Sequence, residues 1–309
     1  MERWYSRIRS AATPDSARQR DDARTTLAAV GCPDSYLAWA LGRLLREVPS
    51  TRLLVTVPDE ERAVGLARDI AFFVDPDGSG HDQGEDRVLQ LPQVQTSPYA
   101  EISPDRPAIM QRMSVLWRIL RATARDGEAG VALVVSAGAL RRRVVPAAAF
   151  GALERTLHAG QEVERDQVVG WLRACGFARA HVVEDPGTYS VRGGIVDLYP
   201  PHQPFPARLE FFGDLVESIR LFDAASQRTL RPVDRVGVYP VRETIPTVSA
   251  AALKRNVLRA ADAVRHPSSR TRLLLEELET GREFFGIEAL TPAFHVELES
   301  PLWACLGGQ

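Results

Sequence analysis

The apolar residues in the first half of the chain follow two alternating patterns. Short unbroken apolar runs, typical of strands buried in a parallel sheet, are separated by stretches in which apolar residues return every three or four positions, as in helices. The runs predict strands at Leu27–Val30, Leu53–Val57, Val88–Leu91 and Val131–Val135. The longer stretches predict helices at Ser35–Arg46, Glu60–Phe73 and Arg106–Thr123. This alternation predicts an open α/β sheet with parallel strands.

The second half changes to closely spaced strands joined by glycine turns. The predicted strands are Thr188–Val191, Ile195–Tyr199, Arg208–Phe212 and Leu215–Phe222. The first turn, Gly193-Gly194, permits positive φ, and the second, Gly213-Asp214, has the glycine-first order of a type II′ turn. Together with a helix at Asp166–Cys175, these two hairpins predict a small α+β domain.

Composition narrows the classes of function without selecting one. The 309 residues, 45% of them hydrophobic, suggest roughly two soluble domains. A formal charge of −2 gives no overall attraction to nucleic acid, so DNA contact would need a local patch. No apolar run is long enough to span a membrane, and we expect a cytoplasmic protein. The isolated Cys32, Cys175 and Cys305 predict packing residues rather than disulfides or metal ligands.

The loop before the first helix is the place where a RecA-like domain, of the P-loop NTPase type, would hold phosphate. Such a loop needs Gly-x-x-x-x-Gly-Lys-Ser/Thr, because backbone amides cradle phosphates and the lysine reaches the terminal ones. Here it reads Gly31, Cys32, Pro33, Asp34, Ser35, and the only lysine of the chain is the distant Lys254. The sequence therefore predicts a degenerate RecA-like domain without a working ATP site, and no cofactor.

Four further segments have both a functional and a structural interpretation. Asp59-Glu60 resembles a magnesium-binding pair, but acidic residues also begin helices, and we favour the second interpretation. The basic run Arg141, Arg142, Arg143 fits either a phosphate contact or a solvated helix end. The acidic loop Asp75–Arg87 does not meet the calcium-loop pattern. Tyr99 has no aromatic neighbour to support base stacking and is expected to pack in its loop.

Arg192 stands directly before Gly193 and Gly194 at the end of a predicted strand. Glycines remove side-chain cover, so the guanidinium and nearby amides stay open to a partner. A solvated arginine at a hairpin end is an equally good interpretation from these residues alone.

The hairpin region resembles a known family over a long, non-periodic stretch. It reads Pro-Gly-Thr-Tyr-Ser-Val-Arg-Gly-Gly-Ile-Val-Asp-Leu-Tyr-Pro from Pro186, then Pro-Ala-Arg-Leu-Glu-Phe-Phe-Gly-Asp from Pro206. Both segments resemble the interaction domain shared by the nucleotide-excision-repair helicase UvrB and the transcription-repair coupling factor, Mfd. The segment Ser97–Arg106 also resembles the Mfd linker. The eroded phosphate loop fits the UvrB-like N-terminal module of Mfd better than UvrB itself.

The resemblance implies a non-catalytic adaptor of transcription-coupled nucleotide excision repair that recruits UvrA. It assigns UvrA contact to one face that carries Arg179, Arg192, Gly193, Gly194 and Ile195, with Ile195 and the neighbouring strand as its apolar centre. Ser190 stands where UvrB has a further arginine. RNA polymerase would be bound only through family domains that this sequence lacks, and DNA weakly or not at all. Two alternatives stay open: a fragment of an ATP-dependent DNA helicase or translocase, and a stand-alone DNA-binding domain.

The expected domain organisation follows from the pattern and the resemblance together. Residues 1–24 form a tail, 25–145 the first part of the RecA-like domain, 146–233 the inserted UvrA-interaction domain, and 234–309 a part returning to the RecA-like domain. This last part has a predicted strand, Val236–Val241, and helices at Ala250–Val264 and Arg270–Glu279. The resemblance ends at Gln309, and an excised module, a truncated product and a free-standing relative are all compatible with it.

Overall fold

Two compact units make up the part of the chain that the computed structural model describes, which is residues 5–6, 29, 31–48, 51–75, 87–94, 105–124, 130–280 and 287–300. Unit 1 contains the described residues up to Gln93 and those from Arg118 to Arg142. Unit 2 contains those from Val94 to Trp117 and those from Arg143 onward. Residues from 234 thus group with unit 2, whereas the sequence suggested a return to the first domain.

Unit 1 is a parallel α/β arrangement. Its elements are α1 (Asp34–Glu47), β1 (Arg52–Val57), α2 (Glu60–Val74), β2 (Val88–Leu91), the end of α3 (Arg106–Ala124), β3 (Val131–Ser136) and α4 (Ala137–Arg141). The strands are all parallel and lie in the order β1-β3-β2. This confirms the predicted mixed α/β fold with a parallel sheet. The predicted strand Leu27–Val30 falls outside the described residues except for Ala29.

The core of unit 1 follows from the helical and strand patterns. Leu45, Leu66 and Ile70 of the two helices pack on Ala132 and Val134 of the central strand, and all are buried. Each such aliphatic side chain contributes about 1.5 to 3 kcal/mol on burial. The predicted helices and strands here agree with the structure to within about a residue at each end.

Unit 2 is built around a mostly antiparallel sheet. Its first elements, after the start of α3, are α5 (Ala147–Leu153), β4 (Arg155–His158) and α6 (Arg165–Ala174). The strands that follow are β5 (Ala178–Arg179), β6 (Thr188–Arg192), β7 (Ile195–Leu198), β8 (Ala207–Phe212), β9 (Leu215–Phe222) and β10 (Thr229–Pro232). These six strands lie in the order β10-β9-β8-β7-β6-β5, and only the β5–β6 pair is parallel. Val196, Leu198 and Leu209 face a core that also contains Val168 and Leu172 of α6.

Both predicted hairpin turns are present, and each has two residues. Arg192 pairs with Ile195 around Gly193-Gly194, and Phe212 pairs with Leu215 around Gly213-Asp214. Gly193 and Gly213 each have φ +59, while the second residue of each turn is not in the left-handed region. This is the φ pattern of type II′, as predicted for the second turn.

The chain after β10 adds one strand and a group of helices. Strand β11 (Arg235–Val238) pairs antiparallel with β4. It is shorter than predicted because Pro240 follows and cannot donate to a ladder. The remaining elements are α7 (Ala250–Ala263), α8 (Ser268–Thr280), a 3₁₀ turn (Ile287–Leu290) and α9 (Thr291–Phe294). Among the helices of the described ranges, none has the length and apolar character to cross a bilayer.

Candidate partner-binding surface

One side of the six-stranded sheet carries charged and polar residues, and we call it the charged face. Strand pairing aligns Arg192 with Ile195 and then Glu210 across β6, β7 and β8. The next row on the same face, two residues further along each strand, consists of Ser190, Asp197, Arg208 and Arg220. Successive side chains of a strand point to opposite faces, so the apolar residues between these positions point into the core. Arg192 and Ile195 are therefore neighbours on this face.

Asp197 is the electrostatic centre of the charged face. Its side chain is 1% exposed, and its carboxylate accepts hydrogen bonds from Arg192 Nη2 at 2.7 Å and from Arg208 Nε at 2.7 Å and Nη2 at 2.9 Å. The hydrogen bond to Asp197 raises the pKa of Arg208. The Arg208 guanidinium also lies 4.6 Å from the ring centroid of Phe222. A buried carboxylate held by two guanidiniums has its charge balanced within the fold.

One guanidinium nitrogen of Arg192 is hydrogen-bonded within the fold, and the other two are open to a partner. Its side chain is 50% exposed although Nη2 is bonded to Asp197. The guanidinium has five N–H donors, so most of them remain available to a partner. Arg192 is thus held in one orientation on the surface instead of moving freely in solvent.

The glycine turn beside Arg192 is shaped by two different requirements. Gly193 has positive φ, and a Cβ added there would meet nothing within 4 Å. Gly194 is in close contact, since a Cβ added there would lie 2.8 Å from the carbonyl oxygen of Phe211. The amide of Phe211 donates to Gly194 O at 2.7 Å, and Arg165 Nη1 donates to Gly193 O at 2.7 Å. The turn is consequently both open to solvent and firmly held.

Arg179 does not share a face with Arg192 by the strand pairing. It lies on the edge strand β5 and is exposed, but it pairs with Tyr189, whose side chain is 3% exposed in the core. The structure therefore brings Arg192, Gly193, Gly194 and Ile195 together and places Arg179 at the sheet edge, on the side of Tyr189. Ser190 is buried, and its hydroxyl donates to His181 O at 2.9 Å.

Several residues that shape this surface were missed by the sequence interpretation. Asp197 and Arg208 organise the charge, Arg165 holds the turn, and Phe212 is exposed beside it. The signal for Asp197 was present, because an acid at an alternate position of an apolar strand must face a cation or water. The partners of Asp197 and Gly193 depended on strand register and on the docking of α6, which no local pattern specifies.

An ion pair lies at the loop that the sequence predicts to be a degenerate phosphate loop. Asp34 is the first residue of α1 and follows Pro33, which has no amide hydrogen to offer a phosphate. Its carboxylate accepts three hydrogen bonds from Arg62, the shortest at 2.7 Å from Nη2. Hydrogen bonding to Asp34 raises the pKa of Arg62. The carboxylate of this loop is thus balanced by a guanidinium of the same unit.

At the carboxyl ends of the three parallel strands, the polar side chains are also hydrogen-bonded to one another and to the backbone. Asp59 accepts from the amide of Arg62 at 2.9 Å, which confirms its predicted role at a helix start. Glu60 accepts from Ser136 Oγ at 2.9 Å, Gln90 Nε2 at 2.8 Å and the amide of Gln93 at 2.8 Å. The Gln93 side chain lies where a Cβ on Gly138 would collide with it. Both carboxylate oxygens of Glu60 are therefore engaged within the fold.

The remaining candidates have ordinary environments or lie outside the described ranges. Arg143 Nη1 donates to Leu298 O at 2.8 Å. Cys175 is buried, which raises the pKa of its thiol to about 12 and fits a packing residue. Cys305, Tyr99 and most of the loop Asp75–Arg87 lie outside the described residues. Within the described ranges, no group of three or more His, Cys, Asp or Glu residues is arranged to hold a metal ion.

The family model for the UvrB interaction domain matches residues 156–243, which run from β4 past β11 and include the charged face. Residues 156–243 therefore resemble a UvrB interaction domain over their whole length. The match extends beyond the predicted boundary at 233, in agreement with the pairing of β11 with β4.

The proteins similar to this chain are much longer than it. The transcription-repair-coupling factor of Myxococcus xanthus is 39% identical over 243 residues, covering 78% of this chain and 20% of that protein. That of Escherichia coli (strain K12) is 29% identical over 252 residues, covering 82% and 20%. The UvrABC system protein B of Thermosipho africanus is 32% identical over 136 residues, covering 44% and 18%. The chain spans about a fifth of the length of these relatives.

Proposed function

We propose that this chain is a non-catalytic adaptor module of transcription-coupled nucleotide excision repair that recruits UvrA through the charged face of its UvrB interaction domain. The observation that supports this most is Arg192, which is half-exposed yet held by Asp197 beside an uncovered glycine turn. An arginine fixed in this way loses little side-chain entropy when it meets a carboxylate. Its planar fork binds a carboxylate at two points.

Arg179 extends the proposed contact around the edge of the sheet. Arg179 pairs with Tyr189, which lies three residues before Arg192 on β6. Arg179 and Arg192 are therefore offset by about 10 Å along the strand direction. A partner that contacts both arginines has to reach around the β5 edge. The buried hydroxyl of Ser190 contributes no charge where UvrB has an arginine, so the balance of the contact differs from that in UvrB.

Calorimetry with purified UvrA tests the adaptor. Arg192→Ala and Arg179→Ala should each weaken binding tens- to thousands-fold, because we expect each arginine to form a charge pair that the complex buries, and truncating one side of a buried, hydrogen-bonded pair costs about 2 to 5 kcal/mol. Lys254→Ala is the matched control, since Lys254 is 54% exposed and also has one ion-pair partner, Glu279. Unchanged binding by both arginine variants would refute the surface, and an absence of binding by the parent chain would refute the adaptor.

We propose further that the degenerate loop neither binds nor hydrolyses ATP. Two observations support this: the Asp34–Arg62 pair in the loop and the engagement of Glu60 within the fold. DNA translocation and RNA polymerase binding, which the resemblance implies for full-length family members, would then belong to other domains. Calorimetry with Mg-ATP should show no heat of binding, and Asp34→Ala should not restore it, because the lysine and second glycine are still missing. Micromolar binding by the parent chain would contradict the proposal.

A further inference from the structure

Phe212 is a large aromatic side chain that the fold leaves uncovered. It ends β8 and is 78% exposed, and its cross-strand partner Leu215 is 36% exposed. The other two aromatic residues of this hairpin behave differently, since Phe211 is half-buried and Phe222 is fully buried. An exposed phenylalanine forgoes the roughly 1.5 to 3 kcal/mol that burial would contribute. The stability of the fold gives no reason for this residue type at this position.

The position of Phe212 places it next to the proposed contact residues. Ile195 pairs with Glu210, and Phe212 lies two residues further along β8, toward the Gly193-Gly194 turn. The β8–β9 register shifts between Glu210 and Phe211, but Phe211 packs against the core, so the next residue, Phe212, lies on the charged face. Two strand spacings and two residue steps put it roughly 12 Å from Arg192. The 78% exposure of Phe212 shows that neighbouring side chains leave most of the ring uncovered.

The hairpin tip that carries Phe212 is held by an adjacent loop. Glu162 forms a β-bridge with Leu215, the Val163 amide donates to Asp214 O at 2.7 Å, and the Gly160 amide donates to Val216 O at 2.7 Å. Side chains presented from a fixed backbone lose less entropy on binding than side chains on a loose loop. The aromatic ring is thus exposed on a rigid support, which is unlike an exposed residue in a flexible segment.

We propose that Phe212 is the apolar anchor of the UvrA-binding surface and enters an apolar pocket on UvrA whose rim carries carboxylates for Arg192. This inference rests on the proposed function. Aromatic residues and arginine dominate the affinity of protein interfaces, typically as a buried aromatic centre with charged groups at its edge. The positive charge and open nitrogens of Arg192 favour an anionic partner, so the proposal places carboxylates at the edge of this pocket. Phe212 takes the central role that the sequence interpretation gave to Ile195, which is half-buried.

Binding of UvrA by Phe212→Ala, measured by calorimetry, tests the anchor. We expect at least tenfold weaker binding, which is about 1.4 kcal/mol, and an unchanged melting temperature, because the ring makes little contact within the fold. Phe212→Leu, which keeps an apolar side chain of smaller size, should bind with intermediate affinity. Phe72→Ala is the matched control, since Phe72 is 60% exposed in unit 1 and should not affect binding.

The possible outcomes separate this inference from the proposed function. If the parent chain binds UvrA and Phe212→Ala binds equally well, the anchor is wrong while the adaptor function stands. If the parent chain does not bind UvrA, the adaptor function itself fails, and the anchor with it. Sedimentation of the chain alone provides the remaining check: self-association that Phe212→Ala abolishes would assign the ring to a second copy of the chain and overturn the inference.

Discussion

At the scale of single residues, Asp197 determines how the arginines of the charged face are held. A carboxylate that is 1% exposed would be strongly destabilising alone, and it is balanced by Arg192 and Arg208. From the sequence alone, Arg192 could be either a partner contact or a solvated residue. In the structure its guanidinium is bonded to the buried Asp197, while half of its side chain is exposed to solvent. Its orientation is therefore a property of the folded sheet.

Asp197→Asn should lower the free energy of unfolding by about 3 kcal/mol, because the amide leaves two close guanidiniums without a counter-charge. Asp166→Asn is the control, since Asp166 also pairs with an arginine but is 80% exposed, and its effect should stay below about 1 kcal/mol. Urea denaturation of both variants measures the difference. Equal effects would mean that Asp197 is no more important to stability than a surface ion pair.

The sequence predicted the residues of this surface better than their contacts. Arg192, Gly193, Gly194 and Ile195 are adjacent in the chain, so any hairpin brings them together. Arg179 was expected on the same face, but pairing with Tyr189 puts it on the other side of the edge strand. Face assignment depends on a one-residue choice of register between β5 and β6, and a strand of two residues carries too little pattern to specify it.

At the scale of elements, the two glycines of the β6–β7 turn have different roles: Gly193 provides a positive φ, and Gly194 leaves room for the backbone of Phe211. Gly193→Val should lower the free energy of unfolding by about 1 to 2 kcal/mol, because a β-branched residue is strained at φ +59. Gly193→Asn should cost less than Gly193→Val, since asparagine is not β-branched, is among the residues found at the positive-φ positions of primed turns, and has open space around it here. Gly194→Ala should disturb the β7–β8 pairing, because its Cβ would collide with the backbone at Phe211. Thermal melts of the three variants test this order, and a tolerated Gly194→Ala would contradict it.

Elements with a clear pattern of apolar positions were predictable, and elements without one were not. The helices α1, α2, α3 and α6 agree with prediction because several apolar positions define each of them. Strand β10 has four exposed residues and therefore no alternation to detect. Strand β4 is recognisable only through its partner β11, which lies far away in sequence. That distant pairing also explains why the predicted boundary at 233 differs from the compact unit, since β11 completes the sheet that β4 begins.

At the scale of the whole molecule, a net charge of −2 predicts weak binding to nucleic acid. Fluorescence anisotropy with single-stranded or damaged DNA should show at most weak binding, lost by about 150 mM salt, because a small number of phosphate contacts is screened readily. Submicromolar affinity at that salt concentration would count against the adaptor and favour the DNA-binding alternative. Replacing Arg141, Arg142 and Arg143 with alanine would then show whether this basic run is responsible.

The order of the strands along the chain has a consequence for how the protein folds. In unit 1, β1 pairs with β3, so residues near positions 52 and 131 must meet before the central contacts of the parallel sheet exist. In unit 2, strands β6 to β10 each pair with their neighbour in sequence, and the two central hairpins close over two residues. Local pairings close with a small loss of chain entropy and form quickly, whereas distant ones form slowly. We therefore expect the hairpins that carry Arg192 and Phe212 to acquire amide-exchange protection early in refolding, ahead of the strands of the parallel sheet.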